Sequence, residues 1–392
     1  MRKMPIVLAM MIIATGQVGV SIYLPSLPLI SQTLEASQAD VQLLVTLFLV
    51  GFGASQLFYG PLSDAIGRRP VFLLGQGIYL LGTVICVLFS HHLESLIIGR
   101  LLQGLGAGSA SVLGRSVLRD SYDGAQLTRA LSYISVTASI MPILAPVIGG
   151  WLAFYLGWQS VFMFVLLYLM AIFTLGYFVL PETMSYGKSR FSLRRVVTNY
   201  RQLITSRQVL TSASYNWVSY LASLVSLSVM PFLLQHELGL TVAEYGSVMI
   251  IPSAGLMIGS LALNVLSRYL SSQQLLSIAI SLLMLAGIWL VFAPASLFNV
   301  VAPFTLLAIA QGVSFPISIS LLLEPHKRQA GAVSALSGSI QMCVAGVLGG
   351  YLVENWVHSQ YAMGIFYLLC ACTMATVLSL SKAKQNVQQE LA

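Results

Sequence analysis

Residues 43–89 read LLVTLFLVGFGASQLFY, then GPLSDAIGRRP, then VFLLGQGIYLLGTVICVLF. Each outer run is close to the ~20 apolar residues that a helix needs to cross a membrane. The segment between them, residues 60–70, contains an aspartate, two arginines, two glycines and two prolines. Long apolar runs joined by short polar segments predict a helical membrane protein.

The composition of the 392 residues indicates the same class. Hydrophobic residues make up 57% of the chain and charged residues 8%, whereas soluble domains carry about 25% charged residues. The formal net charge is +7, but the basic residues stand singly or in pairs, which argues against a nucleic-acid partner. The four cysteines lie inside apolar runs and the five histidines near run ends, so we expect neither a metal site nor a disulfide.

Twelve apolar runs are long enough to span a membrane. We expect helices, because lipid offers no partner to an unpaired backbone group, and the continuous apolarity does not fit the alternating strands of a barrel. The first run lacks a small-residue cleavage site and is interpreted as an uncleaved span. The predicted spans are 5–24, 41–60, 70–90, 95–115, 129–152, 159–180, 209–232, 246–266, 273–293, 297–323, 331–353 and 361–380.

The basic residues predict the orientation. If the N-terminus is inside, the inner side carries eighteen of the nineteen lysines and arginines, and the outer loops carry none. Basic residues are enriched in cytoplasmic loops. We therefore expect both termini in the cytoplasm.

A polar, basic stretch divides the chain into two halves. We expect an N-terminal six-helix bundle at 1–180, a cytoplasmic linker at 181–208 and a C-terminal six-helix bundle at 209–392. Short matches recur between the halves at similar offsets, which favours a duplicated unit and two pseudo-symmetric bundles. The matches are Ala145-Pro146-Val147-Ile148-Gly149-Gly150 with Ala345-Gly346-Val347-Leu348-Gly349-Gly350, Gln103-Gly104 with Gln311-Gly312, and Gln159 with Gln360.

The segment 60–70 resembles the signature loop of the major facilitator superfamily, matched at Gly60, Leu62, Asp64, Gly67, Arg68 and Arg69. Further likenesses are Arg100-x-x-Gln103-Gly104 in the fourth span, the antiporter-type Ala145-Pro146-x-x-Gly149-Gly150 in the fifth, and Pro181-Glu182-Thr183. The chain is similar over its whole length to twelve-helix drug:proton antiporters of the bicyclomycin-resistance and multidrug-resistance-protein-D kind. The resemblance implies an all-α transporter that works by alternating access in a bacterial inner membrane.

We interpret the signature loop as a conformational latch at the cytoplasmic face. Asp64 and Arg68 are spaced to pair along a helix, Gly60 allows close helix approach, and Gly67 permits a tight turn. Arg69 belongs to the same loop, and we expect Asp120 to join it. The alternative is an ordinary positive-inside turn, which leaves the aspartate and the spaced glycines unexplained. Ala65 stands where the family usually has a basic residue.

Two features inside the spans also carry expectations. Arg100 is costly in a membrane, and the resemblance implies a part in proton coupling; the alternative is snorkelling to the outer interface. In the fifth span, Pro142 and Pro146 lie on one face and predict a bend. With Ala145 they precede Gly149 and Gly150, which favour close helix packing. We expect this packing to seal the outward-facing state against leakage, and a simple bend is the competing interpretation.

The resemblance places the cargo cavity between spans one, four, seven and ten. Serines recur at helical spacing in span seven (212, 219, 223 and 226), although such seams also serve helix packing. Because Arg100 is the sole cation that the predicted spans place away from their ends, we expect lipophilic, amphipathic cargo rather than phosphate or dicarboxylate. The candidate substrate residues are Gln17, Ser21, Tyr23, Tyr59, Asn216, Trp217, Tyr220, Gln311 and Phe315.

No span contains a carboxylate that would carry a proton. The candidates for coupling are Asp40, Glu94 or Glu237 acting with Arg100, or Asp64 and Asp120 at the inner face. Coupling by a route unlike that of the relatives is the remaining alternative. We expect no cofactor beyond the coupling proton and no enzymatic activity, since no nucleotide motif or nucleophile–base pair is present.

The favoured function is proton-coupled multidrug efflux by a monomer. A same-fold transporter for one physiological solute, such as a sugar or metabolite exporter, and a membrane protein that does not transport remain the alternatives.

Overall fold

A computed structural model describes residues 4–122, 124–183 and 192–390. Its described regular elements are all helical. The basic residues Arg2, Lys3, Lys188 and Arg190, which contribute to the predicted orientation, lie outside the described residues. The helices are α1 Met4–Ser21, α2 Leu27–Thr33, α3 Gln38–Ile66, α4 Arg68–Leu88, α5 Leu93–Ser121, α6 Gly124–Leu156, α7 Gln159–Val179, α8 Leu193–Ile204, α9 Arg207–Phe232, α10 Val242–Val248, α11 Ile250–Leu266, α12 Ser272–Phe292, α13 Leu297–Leu323, α14 Ala330–Asn355 and α15 Gln360–Glu390.

Each of the twelve predicted spans overlaps a helix of the structure. Among the described residues, eleven helical segments are long and apolar enough to cross a membrane. The predicted fifth span lies on α6, whose described apolar part is the shorter stretch Ile140–Leu156. The predicted eighth span is broken at Met249 into α10 and α11. The all-α class is therefore confirmed, and the chain is a multi-pass membrane protein.

Several helices extend beyond the apolar runs that predicted them. The prediction placed Asp120 after span four, but α5 continues to Ser121 and includes it. In the same way α3 continues to Ile66 and includes Asp64. Polar residues in water remain helical when the preceding turns supply hydrogen-bond partners, so apolar length underestimates helix length.

The starts of three helices are set by capping boxes. Ser37 with Asp40, Thr241 with Glu244 and Ser271 with Gln274 exchange hydrogen bonds at the starts of α3, α10 and α12. These reciprocal bonds satisfy backbone amides that a helix leaves without partners. These capping bonds therefore stabilise the points at which the chain enters the three helices.

Each half has its own apolar core. The largest buried cluster lies wholly in the C-terminal half, between Tyr215 and Leu378. A second cluster is built mainly from the N-terminal half but also takes in Leu224, Val242 and Ala345. The two halves thus meet along part of their length rather than fusing into one core.

The chain direction defines two ends of the molecule. We call the end that carries the basic loops the basic end. It contains residue 66 of α3, residue 121 of α5 and residue 330 of α14. The other end contains residue 38 of α3, residue 156 of α6 and residue 242 of α10, and we call it the opposite end.

Candidate functional site

A cavity of about 1070 Å³ opens between the two halves at the basic end. Its walls come from α3, α4 and α5 of the N-terminal half, from α8 in the linker and from the start of α14 with the residues before it. The lining includes Gln56, Asp64, Arg68, Arg115 and Arg119 on the N-terminal side, and neutral residues such as Gln329 and Ser334 across from them. A solute entering from the basic end therefore reaches both halves at once.

The opposite end is closed by close contacts between the halves. The Gln235 side chain donates to the carbonyl oxygen of Pro25 at 2.8 Å. The Nε2 atoms of Gln32 and His236 lie 3.2 Å apart. Trp151 Nε1 donates to Ser247 Oγ at 3.2 Å.

Deeper in the same interface, α3 packs along α14. A Cβ atom on Gly53 would lie 2.8 Å from the carbonyl oxygen of Ser339, and one on Gly346 would lie 3.0 Å from that of Thr46. Gln42 adds a buried hydrogen bond of 3.3 Å to Ser228 of α9. The structure therefore has one open end and one sealed end.

The signature segment forms a charged cluster at the mouth of the cavity. Arg68 lies 2.5 Å from Asp64 and 2.9 Å from Asp120. The side chains of Arg68 and Asp120 are 12% and 18% exposed, whereas that of Asp64 is 54% exposed. Arg68 also donates to Ser63 Oγ at 2.6 Å. One guanidinium thus joins the ends of α3, α4 and α5.

Glu182 fixes the turn between α3 and α4. Its carboxylate accepts hydrogen bonds from the backbone amides of Arg68, at 2.9 Å, and Arg69, at 3.3 Å. The Arg69 guanidinium donates to the carbonyl oxygen of Tyr177 at 2.6 Å. A carboxylate at a helix N-terminus is favourable because the free amides and the helix dipole attract negative charge. Gly67 makes this turn with φ +110°, a region that favours glycine.

These contacts bear on the latch interpretation. The partners found for Arg68 and Arg69 come from the N-terminal half and from Glu182 at its end. The facing wall of the C-terminal half is across the cavity. In this conformation the arginines therefore tie α3, α4, α5 and α7 to one another, and a latch between the halves stays a prediction for the conformation with this end closed. Gly60 also lines the cavity.

Arg100 is held in a polar cage inside the N-terminal half, with 2% of its surface exposed. Its guanidinium donates to the carbonyl oxygens of Leu44, at 3.1 Å, and Gly19, at 3.0 Å, and to Gln103 Oε1 at 2.7 Å. The rings of Tyr23 and Phe48 lie 3.7 and 4.1 Å from its central carbon.

The Arg100 cage excludes the snorkelling interpretation, because the side chain does not reach water. The carboxylates that were proposed to act with Arg100 lie outside this cage. Asp40, Glu94 and Glu237 are exposed at helix ends, and the ion pairs within 4.0 Å found among the described residues involve Arg68 alone. The positive charge is balanced by backbone carbonyl dipoles and aromatic faces.

The antiporter-type motif of α6 lies where the helix crosses two neighbours at the opposite end. Pro142 and Pro146 stand inside the continuous helix, and Ala145 is buried in the second core cluster. Gly149 packs directly on the backbone of Ile22, and a Cβ on Gly150 would lie 2.6 Å from the carbonyl oxygen of Val242. Because α10 belongs to the C-terminal half, Gly150 lies in the seal between the halves while the basic end is open. A role of the motif in sealing the outward-facing state stays a prediction.

The predicted substrate residues are dispersed. Tyr23 packs on Arg100, and Tyr59 is buried in a small N-terminal cluster. Asn216 donates to Gln341 at 2.7 Å and Trp217 to the carbonyl oxygen of Ser337 at 3.0 Å, so both connect α9 to α14.

The serine seam of α9 is used in the same manner. Ser212 accepts through its carbonyl oxygen from Ser318, and Ser226 is hydrogen-bonded to Tyr367. These contacts are those of helix packing.

Other predicted residues lie nearer the boundary between the halves. Tyr220 of α9 packs against the mainly N-terminal cluster that contains Tyr23. Ser21 is buried, Gln17 and Gln311 are half-buried, and Phe315 is 37% exposed. None of the nine predicted residues is among the described residues that line the cavity at the basic end.

Sequence reasoning missed the arginines of the cavity wall. Arg115 and Arg119 on α5 and Arg194 on α8 line the cavity, but their sequence context indicates only a basic cytoplasmic loop. The four-residue spacing of Arg115 and Arg119, which places both on one helix face, was the available signal.

Comparison with known proteins identifies one family over most of the chain. A model of the Major Facilitator Superfamily matches residues 8–350 and again residues 215–390. The chain is 29% identical over 372 residues to "Multidrug resistance protein MdtL" of Shigella dysenteriae serotype 1 (strain Sd197), covering 92% of this chain and 90% of that one. It is 28% identical over 390 residues to "Multidrug resistance protein D" of Escherichia coli (strain K12), covering 95% and 96%.

A solved structure shares the fold. The human organic anion transporter MFSD10 (TETRAN) superposes with a TM-score of 0.69 at 14% identity, covering 95% of this chain and all of that one. The structure has two bundles around a cavity and a charged turn after α3. Both features agree with the family match, which covers most of the chain. This chain belongs to the major facilitator superfamily.

Proposed function

We propose that the protein is a proton-coupled exporter of several lipophilic or amphipathic compounds in a bacterial inner membrane. The observation that carries the proposal is the cavity between the halves, open at the basic end and sealed at the opposite end. With basic loops on the cytoplasmic side, both termini are cytoplasmic and this is the inward-open state of an alternating-access cycle. Two relatives that match over at least 90% of both chains are named multidrug resistance proteins.

Coupling to protons is proposed through the charged cluster at the cavity mouth. Asp64 lines the cavity and Asp120 shares Arg68 with it. Protonating either carboxylate would weaken its attraction to Arg68 and loosen the junction of α3, α4 and α5. The membrane potential supplies about 2.3 kcal/mol per charge per 100 mV, enough to bias such an equilibrium. Arg100 supports this cycle by holding α1, α3 and α5 together rather than by exchanging protons with a carboxylate.

The single-solute alternative is less well supported. A site for one sugar would need converging polar side chains, whereas Asn216 and Trp217 are already bonded to α14. Adaptable recognition of several amphipathic molecules needs fewer fixed polar contacts.

The test is transport in liposomes with an imposed pH gradient. Purified protein should drive accumulation of several unrelated lipophilic dyes, and nigericin with potassium should stop it by collapsing the gradient. Asp64→Asn should slow turnover and leave dye binding largely intact, while Arg268→Gln, an exposed basic residue outside the cavity, should change neither. Gradient-driven transport of one sugar with no dye transported would refute multidrug export.

A further inference from the structure

The cavity at the basic end has an unbalanced charge. Among the described residues that line it, the charged ones are Asp64, Arg68, Arg115, Arg119 and Arg194. Arg68 is offset by Asp64 and by Asp120 behind it. The other three arginines have no carboxylate within 4.0 Å in the described part of the chain. The wall contributed by the C-terminal half is neutral where it is described.

Arg115, Arg119 and Arg194 are placed along the way into the cavity. Arg119 is near the end of α5, and Arg115 lies one turn deeper, about 6 Å along the axis. The Arg115 side chain is anchored by a 3.1 Å hydrogen bond from its Nε to the carbonyl oxygen of Ser111, which leaves its other donors free for the cavity. Arg194 faces them from α8 in the linker.

A concave site with charges of one sign attracts counter-ions more strongly than a flat surface does. Its low-dielectric walls focus the field into the opening and raise the local concentration of oppositely charged solutes. A cation entering the same opening is repelled by each guanidinium in turn. The apolar lining residues, such as Val112, Leu323 and Ala335, accommodate the apolar part of an amphiphile.

We propose that this entrance selects cargo by charge and admits anionic amphiphiles in preference to cationic ones, with Arg115 and Arg119 as the residues that set the preference. The inference rests on the proposed function, because it names the class of compound that the same cavity receives for export. Anionic lipid headgroups share this chemistry, and the test separates the two sources.

The experiment uses two dyes with one ring system and opposite charge, the ethyl esters of fluorescein (an anion) and rhodamine (a cation). Binding to the full chain in phosphatidylcholine nanodiscs is followed by fluorescence anisotropy, with empty nanodiscs subtracted. We expect the anionic dye to bind more tightly. Arg115→Gln and Arg119→Gln should each reduce the anion-to-cation affinity ratio about threefold at low salt, and the double variant about tenfold. Arg268→Gln is the matched control and should leave the ratio unchanged.

Salt and lipid provide the remaining comparisons. The preference should shrink between ~0.05 and ~0.5 M NaCl, because the length over which salt screens exposed charges falls from more than about 10 Å to a few ångströms. It should persist when phosphatidylglycerol is added; its disappearance would mean that a lipid headgroup occupies the arginines and would overturn the cargo claim.

Equal affinities in the wild-type protein, or an unchanged ratio in the double variant, would also overturn the inference. Transport of the same dyes under a pH gradient distinguishes the two proposals. Suppose that both dyes are transported and that the anion-to-cation affinity ratio is the same in the wild-type protein and the arginine variants. Charge selection is then refuted, and the proposed export function is not. If neither dye binds or moves, both fail.

Discussion

Arg100 illustrates how one residue can keep a full charge inside an apolar bundle. Its donors reach three acceptors on three helices: Gly19 on α1, Leu44 on α3 and Gln103 on α5. Two aromatic faces complete the cage. A planar guanidinium presents its donors in a fixed fork and stacks on aromatic faces, whereas an ammonium group is a compact point charge without that planar surface.

Replacing Arg100 with lysine should therefore destabilise the protein although the charge is kept. Losing two of the hydrogen bonds and the stacking should cost about 2–4 kcal/mol. Thermal unfolding of the purified protein, followed by thiol-reactive or intrinsic fluorescence, would show a lower Tm. Arg268→Lys should not change it, and an unchanged Tm for Arg100→Lys would show that the cage is not needed for stability.

At the scale of elements, the turn between α3 and α4 is built by a glycine and a distant carboxylate. Gly67 adopts φ +110°, and Glu182 caps the first amides of α4. The apolar runs and the arginines around this turn were readable from the sequence. The capping role of Glu182 was not, because it depends on α7 returning to the same end of the bundle.

Gly67→Ala should weaken this turn. A Cβ atom there would be strained by the positive φ and would overlap the Glu182 carboxylate, for a combined cost of about 2 kcal/mol. Hydrogen exchange should become faster at the amides of Arg68 and Arg69 as the cap is lost. Gly331→Ala is the control, since nothing lies within 4 Å of its added Cβ. Unchanged exchange at Arg68 and Arg69 would contradict the capping role.

The seal at the opposite end depends on α6 and α10 approaching at the backbone. A Cβ on Gly246 would lie 2.6 Å from the carbonyl oxygen of Pro146. Backbone atoms inside a helix cannot move aside independently, so a methyl group there forces the helices apart.

Gly246→Ala should therefore shift the population toward molecules open at the opposite end. Spin labels on Leu156 and Glu354, one in each half, would report a longer distance by pulsed electron resonance. The four native cysteines are first replaced by serine. A distance distribution identical to that of Gly331→Ala would show that this contact does not control the closure.

At the scale of the molecule, two bundles meet at one end and part at the other. The described contacts that seal the opposite end join different halves, as in the Gln32–His236 pair. Those around Arg68 and Arg69 stay within the N-terminal half. Movement of one bundle against the other can then exchange the open end without breaking either core.

Tying the halves together at the opposite end should stop transport. Cysteines at Gln32 and His236, joined by a short bifunctional thiol reagent, should reduce turnover to below about a tenth, because cycling requires this end to open. The same reagent joining Thr33→Cys and Trp158→Cys, which replaces a contact of 3.2 Å inside one half, should leave turnover unchanged. Full transport by the first cross-linked protein would refute alternating access through this end.

The sequence predicted which residue types belong to much of the candidate site. It predicted less well which residues those side chains contact. The charged turn, its aspartate and Arg100 stand out because charges are rare in apolar runs. The roles of Asn216 and Trp217 were harder to assign, because a polar residue on a membrane helix serves packing as well as binding. The assignment depends on which helix lies opposite, and here that is α14.

The sequence by itself determined that the chain is helical, that it crosses a membrane many times, and that it resembles one transporter superfamily. Those properties follow from local composition, since lipid requires every backbone group to bond within its own helix. Only the tertiary structure decided which end is open, how Arg100 is neutralised and which arginines line the entrance. These depend on contacts between segments as far apart as α3 and α14, where similar packing surfaces permit more than one arrangement.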